Sequence, residues 1–366
     1  MTKESEEIAA TAATVVVGTY DGGLLGFGLE DGVQRFGYAP HVGCVKAVHC
    51  TETGKLATGA TDNSVRLFDL AKGVEMGELQ EHEDSVSALQ FWDSNLITGS
   101  SDGQVCIWRC SDYELLLKFR GHKASVTCLA IHPSGRMMAS AGRDQRIQLW
   151  DLTRGTSAAH LTVPESVEIL EWSPDGQSIA ALSPRELVAV EASSNSVASF
   201  KDPNSAGFMR VSLTSAVWWS PKLIALGDGR GLVQILKKDG EALTQVCKVP
   251  RDGGRIKALF RVDSTLLVGL STGQVEVWSF TAKATPQESD FQMLRVVDTK
   301  SRLTCLAVWA PGSSEVAAAL SMTSMTGNKK ASKLQKQQGK MAKSEKRPEK
   351  VKKVEKVGKF AGKKKT

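Results

Sequence analysis

The sequence predicts an all-β protein: a closed propeller of seven blades followed by a lysine-rich tail. Three observations predict it. Short apolar runs ending in an aromatic or aliphatic residue recur about every 40 to 46 residues. Fragments at the two ends of the recurring region complement each other into one further unit. Net charge also divides sharply along the chain, with an acidic body and a basic end.

The recurring runs are SVRLFDL (64–70), QVCIWRC (104–110), RIQLWDL (146–152), ELVAVEA (186–192), LVQILKK (232–238) and QVEVWSF (274–280). Their period is that of WD repeats, four-stranded units that stack into propeller blades. The third full repeat shows the internal plan. Gly121-His122 opens it, and Ser125 to Ile131 alternates apolar and polar residues as a strand. His132-Pro133-Ser134-Gly135 is a turn signal. Met137 to Ala141 is a second strand, Gly142-Arg143-Asp144 a tight turn, and Ile147 to Leu152 a third strand. An outer strand is expected near Ser157 to Thr162.

Six full blades are expected to start near Cys44, Ser85, Ser125, Val167, Met209 and Arg255. Arg302 to Trp309 reads as a first strand without followers, and Thr14 to Leu29 as second and third strands without a leader. Joined, they make a seventh blade from both ends of the repeat region. Such closure adds backbone pairing across the ends and leaves only short, protected sheet edges. The expected organisation is a disordered segment 1–12, a propeller 13–310 and a disordered basic tail 311–366.

A four-residue constellation recurs with the repeats. It is His41, Thr58, Asp62 and Phe68 in the first, His82, Thr98, Asp102 and Trp108 in the second, and His122, Ser140, Asp144 and Trp150 in the third. The His stands four residues before the first strand's leading Val, the hydroxyl four before the Asp, and the aromatic six after it. These sets look like the structural tetrad of WD repeats, a network that satisfies buried polar groups and locks a turn. Three copies at the propeller period argue against a nucleophilic triad, since an enzyme needs one site. The fourth to sixth blades lack most of the tetrad. Such irregularity fits drift in an over-determined ring, and it also fits blades that carry a partner surface.

Other motifs point away from chemistry. Seven cysteines, an odd number without a C-x-x-C pair, signal neither a disulfide frame nor a zinc site. Cys44, Cys128 and Cys305 each read as small residues in similar apolar strands, as expected in a reducing compartment. His49, His132 and His160 have no acidic or thiol partner at metal spacing. Gly227-Asp228-Gly229-Arg230-Gly231 lies between strands, so it reads as a hairpin turn rather than a phosphate loop. No apolar run reaches the roughly 18 residues of a membrane span, and acidic Glu4, Glu6 and Glu7 stand where a signal peptide would be basic. No catalytic residue, cofactor, metal, small-molecule substrate or membrane contact is expected.

From Asn328 to Thr366 the chain has 15 Lys and one Arg against three Glu, a net of +13; the whole carries +6, so residues 1–327 carry 6 − 13 = −7. Lys350, Lys352, Lys353, Lys363, Lys364 and Lys365 form its densest runs. Lysine neutralises phosphates without reading bases, which predicts salt-dependent, sequence-independent contact with nucleic acid. The same runs serve equally as a nuclear localisation signal. Residues Lys329 to Lys356 have few helix breakers, a composition compatible with helix formation on an acidic partner.

The stretch GQVCIW…KFRGHKASVTCLAIHPSGRMMASAGRDQRIQLWDL (103–152), then EWSPDGQ (171–177), RLTCLAVW (302–309) and the lysine-rich tail resemble the p21-activated protein kinase-interacting protein family of WD-repeat proteins. The resemblance spans Val15 to Trp309, and GHKASVTCLAIHPSG and RLTCLAVW are its most distinctive pieces. It implies a non-catalytic scaffold of the nucleus and nucleolus, active in assembly of the large (60S) ribosomal subunit and pre-rRNA processing. The implied partners are proteins of the pre-60S particle, with rRNA as a contact of the tail. As the alternative, it implies a signalling scaffold that binds the regulatory domain of a p21-activated protein kinase and restrains it.

Overall fold

The computed structural model describes residues 13–192, 196–201, 212–251, 253–262, 264–280 and 286–311. Two units divide the chain: Met1–Leu320 contains every described residue, and Ser321–Thr366 lies wholly outside them. The segments expected to be disordered, 1–12 and 311–366, also lie outside the described residues, apart from Pro311.

The described strands form seven four-stranded antiparallel blades. The first runs outward from Val45–Cys50 through Lys55–Ala60 and Val65–Asp69 to Val74–Leu79. The next five begin on the inner strands Val86–Trp92, Val126–Ile131, Ile169–Trp172, Leu213–Ser220 and Ile256–Val262. Met209, where the fifth was expected to begin, lies outside the described residues. Blades four and five are linked at their outer edges by one parallel bridge, Ser199 to Ala242. The seventh blade closes the ring: Leu303–Trp309 supplies its inner strand, and Thr14–Thr19, Leu24–Gly28 and Gln34–Tyr38 the other three. Thr14 pairs with Trp309 and Val17 with Leu306, so the closure is an antiparallel ladder.

Burial follows the order of strands within a blade. The second strand Lys55–Ala60 is almost wholly buried, whereas the outer strand Thr156–Thr162 is almost wholly exposed. Apolar clusters bridge neighbouring blades, as where Ile97, Val105 and Ile107 of the second meet Val126, Met138 and Trp150 of the third. That contact is what a stacked blade needs, because one twisted sheet cannot bury both of its own faces. Close approach also explains Gly59: a Cβ there would stand 2.5 Å from Val86 Cγ1 of the next blade. Cys128 and Cys305 occupy the same register, the third residue of an inner strand, but Cys44 falls one residue before its strand. Cys44 is thus no copy of the other two, because its GCV run places Val45, not the thiol, at the strand's lead.

Candidate functional site

Each tetrad-bearing blade brings its residues together at the turn between its second and third strands. In the third blade, His122 Nδ1 lies 3.1 Å from both Asp144 oxygens and Nε2 lies 2.8 Å from Ser140 Oγ, which accepts from Trp150 Nε1 at 2.8 Å. An indole nitrogen can only donate. The Ser140 hydroxyl therefore accepts there and donates its own proton to His122 Nε2, leaving the ring proton on Nδ1 to be given to Asp144. Asp144 also accepts from Lys123 N at 3.0 Å, fixing the entry to the inner strand. The second blade repeats this with His82, Thr98, Asp102 and Trp108, whose indole donates to Thr98 at 3.0 Å. In the first, His41 meets Asp62 at 3.0 Å and Thr58 at 2.8 Å, but Phe68 has no N–H to give. There Ser64 donates to Asp62 instead, at 2.9 Å, and Tyr38 stacks on Phe68.

Burial holds the His41 and His82 rings below their ordinary value, outweighing the pull of Asp62 and Asp102. Burial would raise the Asp144 carboxyl, but hydrogen bonds from Lys123 N and His122 outweigh it and keep it low. The hydroxyls Thr58, Thr98 and Ser140 are fully buried. A hydroxyl sealed between an imidazole and an indole or backbone has no path to a substrate, so these trios are placed for structure rather than attack.

The irregular blades use different bonds. In the sixth, Trp278 Nε1 donates to Glu276 Oε2 at 2.9 Å, and Arg251 grips the same carboxylate through Nε and Nη2, each at 2.8 Å. Both charged side chains are buried, so an ion pair takes the place of a His–hydroxyl pair. Nothing repeats at this spacing elsewhere, which is why periodicity does not reveal it. In the fifth, Asp228 caps its hairpin by accepting from Arg230 N and Leu232 N. His132 does more than make a turn: its Nε2–H donates to Gly176 O of the fourth blade at 3.0 Å, and its ring meets Trp172 edge-on. Gly176 sits at φ +72, and a Cβ there would strike His132.

A second recurring bond spans blade boundaries. An inner-strand side chain accepts the backbone N–H of the next blade: His49 from Phe91 N (3.4 Å), Gln90 from Ile131 N (3.3 Å) and Glu171 from Trp218 N (3.0 Å). Trp218 Nε1 returns a bond to Glu171 O. His49 and Glu171 line a cavity of about 540 Å³ within the ring, together with Glu52, Trp172, Phe260 and Arg261. Burial pushes the Glu171 carboxyl up to about 8 and His49 down to about 4. Both perturbed groups are thus inter-blade clasps, whatever else enters the cavity.

Toward the other end of the inner strands, equivalent positions form a ring. The residue after each leading apolar residue is Lys46, Ser87, Thr127, Glu168, Thr214, Lys257 or Thr304. Ser87, Thr127 and Thr304 donate to the next blade, at Val126 O, Val167 O and Val45 O. The six tail lysines, Lys350 to Lys365, lie outside the described residues. Among the described residues, no group of three or more His, Cys, Asp or Glu is placed to hold a metal, and no helix is long and apolar enough to cross a membrane.

The WD domain, G-beta repeat family matches residues 73–109 and 113–151. A zebrafish (Danio rerio) protein named p21-activated protein kinase-interacting protein 1-like is 30% identical over 72% of this chain and 70% of its own length. Shk1 kinase-binding protein 15 of Schizosaccharomyces pombe is 27% identical over 82% of this chain and 85% of its own. Among solved structures, that titled "Structure of U3-55K" superposes with a TM-score of 0.63 at 16% identity, covering 70% of this chain and 84% of that one. At that identity the likeness shows the propeller fold alone.

Proposed function

Because the chain belongs to the p21-activated protein kinase-interacting protein family of WD-repeat proteins, we propose that it is a non-catalytic scaffold of the nucleus and nucleolus, serving assembly of the 60S ribosomal subunit and pre-rRNA processing. The observation that carries this reading is the division of charge, −7 over residues 1–327 against +13 over 328–366. In this reading the propeller, 13–310, meets proteins of the pre-60S particle. The flanking segments, 1–12 and 311–366, act outside it. The tail lysines Lys350, Lys352, Lys353, Lys363, Lys364 and Lys365 supply a nuclear address and contact rRNA phosphates, a contact that weakens steeply with salt. The tetrads of the first three blades keep the disc rigid, and their repetition leaves no single acid–base or nucleophile set for catalysis. Depleting the protein and profiling ribosomal subunits tests the assignment. Loss of large subunits with accumulation of unprocessed pre-rRNA is expected, and an unchanged large-subunit level refutes it.

One observation favours a second reading: the names of the relatives describe proteins that interact with or bind a kinase. In that reading the chain binds the regulatory domain of a p21-activated protein kinase and restrains it. A pull-down of that domain with the full chain discriminates; absence of binding rules this second reading out.

A further inference from the structure

Two positions flanking the leading apolar residue of the inner strands differ between one arc of the ring and the rest. The residue before the leading apolar residue is Cys44, Ser85, Ser125, Ser166 or Ser212 in blades one to five, but Arg255 and Arg302 in blades six and seven. The residue after it is Ser or Thr in four blades and Glu168 in the fourth, but Lys257 in the sixth and Lys46 in the first. Blades six, seven and one are consecutive around the closure, since Thr304 of the seventh donates to Val45 O of the first and Leu303 packs on Leu267 of the sixth. Four cations thus gather on one arc of the channel mouth. Their proximity is felt at Lys257: burial, then the like charges of Arg255, Arg302 and Lys46, hold its ammonium below the ordinary lysine value.

Several charged groups of the described propeller find opposite partners, as Arg66 does with Glu75 and Glu78, or Arg251 with Glu276. These four do not. Among the described residues none makes an ion pair, and Arg302 only lies over the Tyr20 ring, 5.0 Å from its centroid. Tyr20 is itself 53% exposed. The arrangement has a cost, because Lys46 and Lys257 forgo the bond to the next blade that Ser87, Thr127 and Thr304 make, and clustered like charges repel. An anionic ligand removes that cost.

We propose that the channel mouth at blades six, seven and one docks a short acidic segment of a protein partner, gripped by Lys46, Arg255, Lys257 and Arg302. The cluster is compact and set in a body of net negative charge, with Glu168 on the same ring. Tracking an RNA backbone requires an extended basic stripe, which a single arc of a ring does not offer. A few side-chain carboxylates on an extended peptide match four cations around one opening, with Tyr20 as an apolar wall. The proposal rests on the reading of the chain as a binding scaffold and not on its ribosomal assignment, so an unchanged subunit profile leaves it standing.

The test uses the full chain and a fluorescent octaglutamate peptide bearing a photo-crosslinking group. Lys46→Ser and Lys257→Thr together install what other blades carry at these positions, so the fold should hold; thermal melts check that it does. The basic tail also attracts the peptide, but equally in both proteins. Expected is a loss of affinity of about fivefold to tenfold at moderate salt, with wild-type crosslinks at Tyr20 and around Arg302 that vanish in the variant. A Lys123→Ser, Arg154→Ser control should bind as wild type. Unchanged affinity in the ring variant, crosslinks confined to residues 328–366, or an equal loss in the control each overturns the proposal. So does a single-stranded oligouridylate that loses affinity in the ring variant while the peptide does not, since the partner would then be RNA.

Discussion

Blades one to three and blades four to six solve the same problem in two ways. Each blade must hold its inner turn and clasp its neighbour. The first three do so with a relay of hydrogen bonds that ends on an ionised carboxylate, in the third blade from Trp150 through Ser140 and His122 to Asp144. The later blades use apolar packing, single caps and charged groups taken out of water. Arg251, Glu276 and Trp278 form such a charged set, whereas Glu171 reaches Trp218 N as a carboxyl that burial keeps protonated. Such a relay is local, and losing one member costs about one buried polar group. A buried ion pair is stable only as a pair, and breaking it strands a charge.

That contrast can be broken from its strongest side first. Arg251→Ala leaves Glu276 buried without its partner and should cost about 3–5 kcal/mol, read as a shift in the denaturant midpoint. If it costs no more than a tetrad substitution, the sixth blade is not held by charge. Asp144→Ala removes the acceptor of His122 and of Lys123 N, and should cost on the order of 1–3 kcal/mol. A variant melting like wild type would remove Asp144 from the network.

The smallest effect depends on pH. Glu171, raised to about 8 from 4.5, keeps in the folded state a proton that the unfolded chain gives up. Its contribution to stability is therefore present below about 4.5 and is lost as pH rises toward 8. Glu171→Gln retains an acceptor for Trp218 N and cannot ionise. It should gain roughly 1–2 kcal/mol at pH 8 over wild type and match it at pH 4. His49 has the opposite slope: held near 4 from 6.5, its contribution is full above 6.5 and lost as pH falls toward 4. Glu171→Gln should thus leave the acid limb of the stability curve in place. Equal curves for wild type and variant between pH 5 and 8 would show that Glu171 does not titrate as a buried clasp.

What the sequence makes legible follows the same divide. Three tetrads at one period carry their own evidence, because a spacing repeated three times fixes the register without a structure. The closing blade is legible too, since RLTCLAVW lacks followers and TVVVGTYDGGLLGFGL lacks a leader. Arg251 and Glu276 are not, being a single pair 25 residues apart, one in the connection before Ile256–Val262 and the other on Gln274–Phe280. Lys46 and Lys257 carry no local signal either: each reads as one more exposed charge until the seven inner strands are aligned. Glu171 hides inside EWSPDG, where the turn that follows draws notice instead.

The pairing of Thr14 with Trp309 also sets a timetable. The N-terminal strand leaves the ribosome first and its partner is made 295 residues later, a delay of roughly 15 to 60 seconds at ordinary rates of synthesis. Through that interval the hairpin built on Val15, Val16 and Val17 is an apolar edge with nothing beside it, and chaperones or a neighbouring nascent chain can reach it. The ring therefore cannot be finished gradually. Its last strand, Leu303–Trp309, acts as a latch, and a chain cut short before it presents the open edge of an unfinished product to quality control.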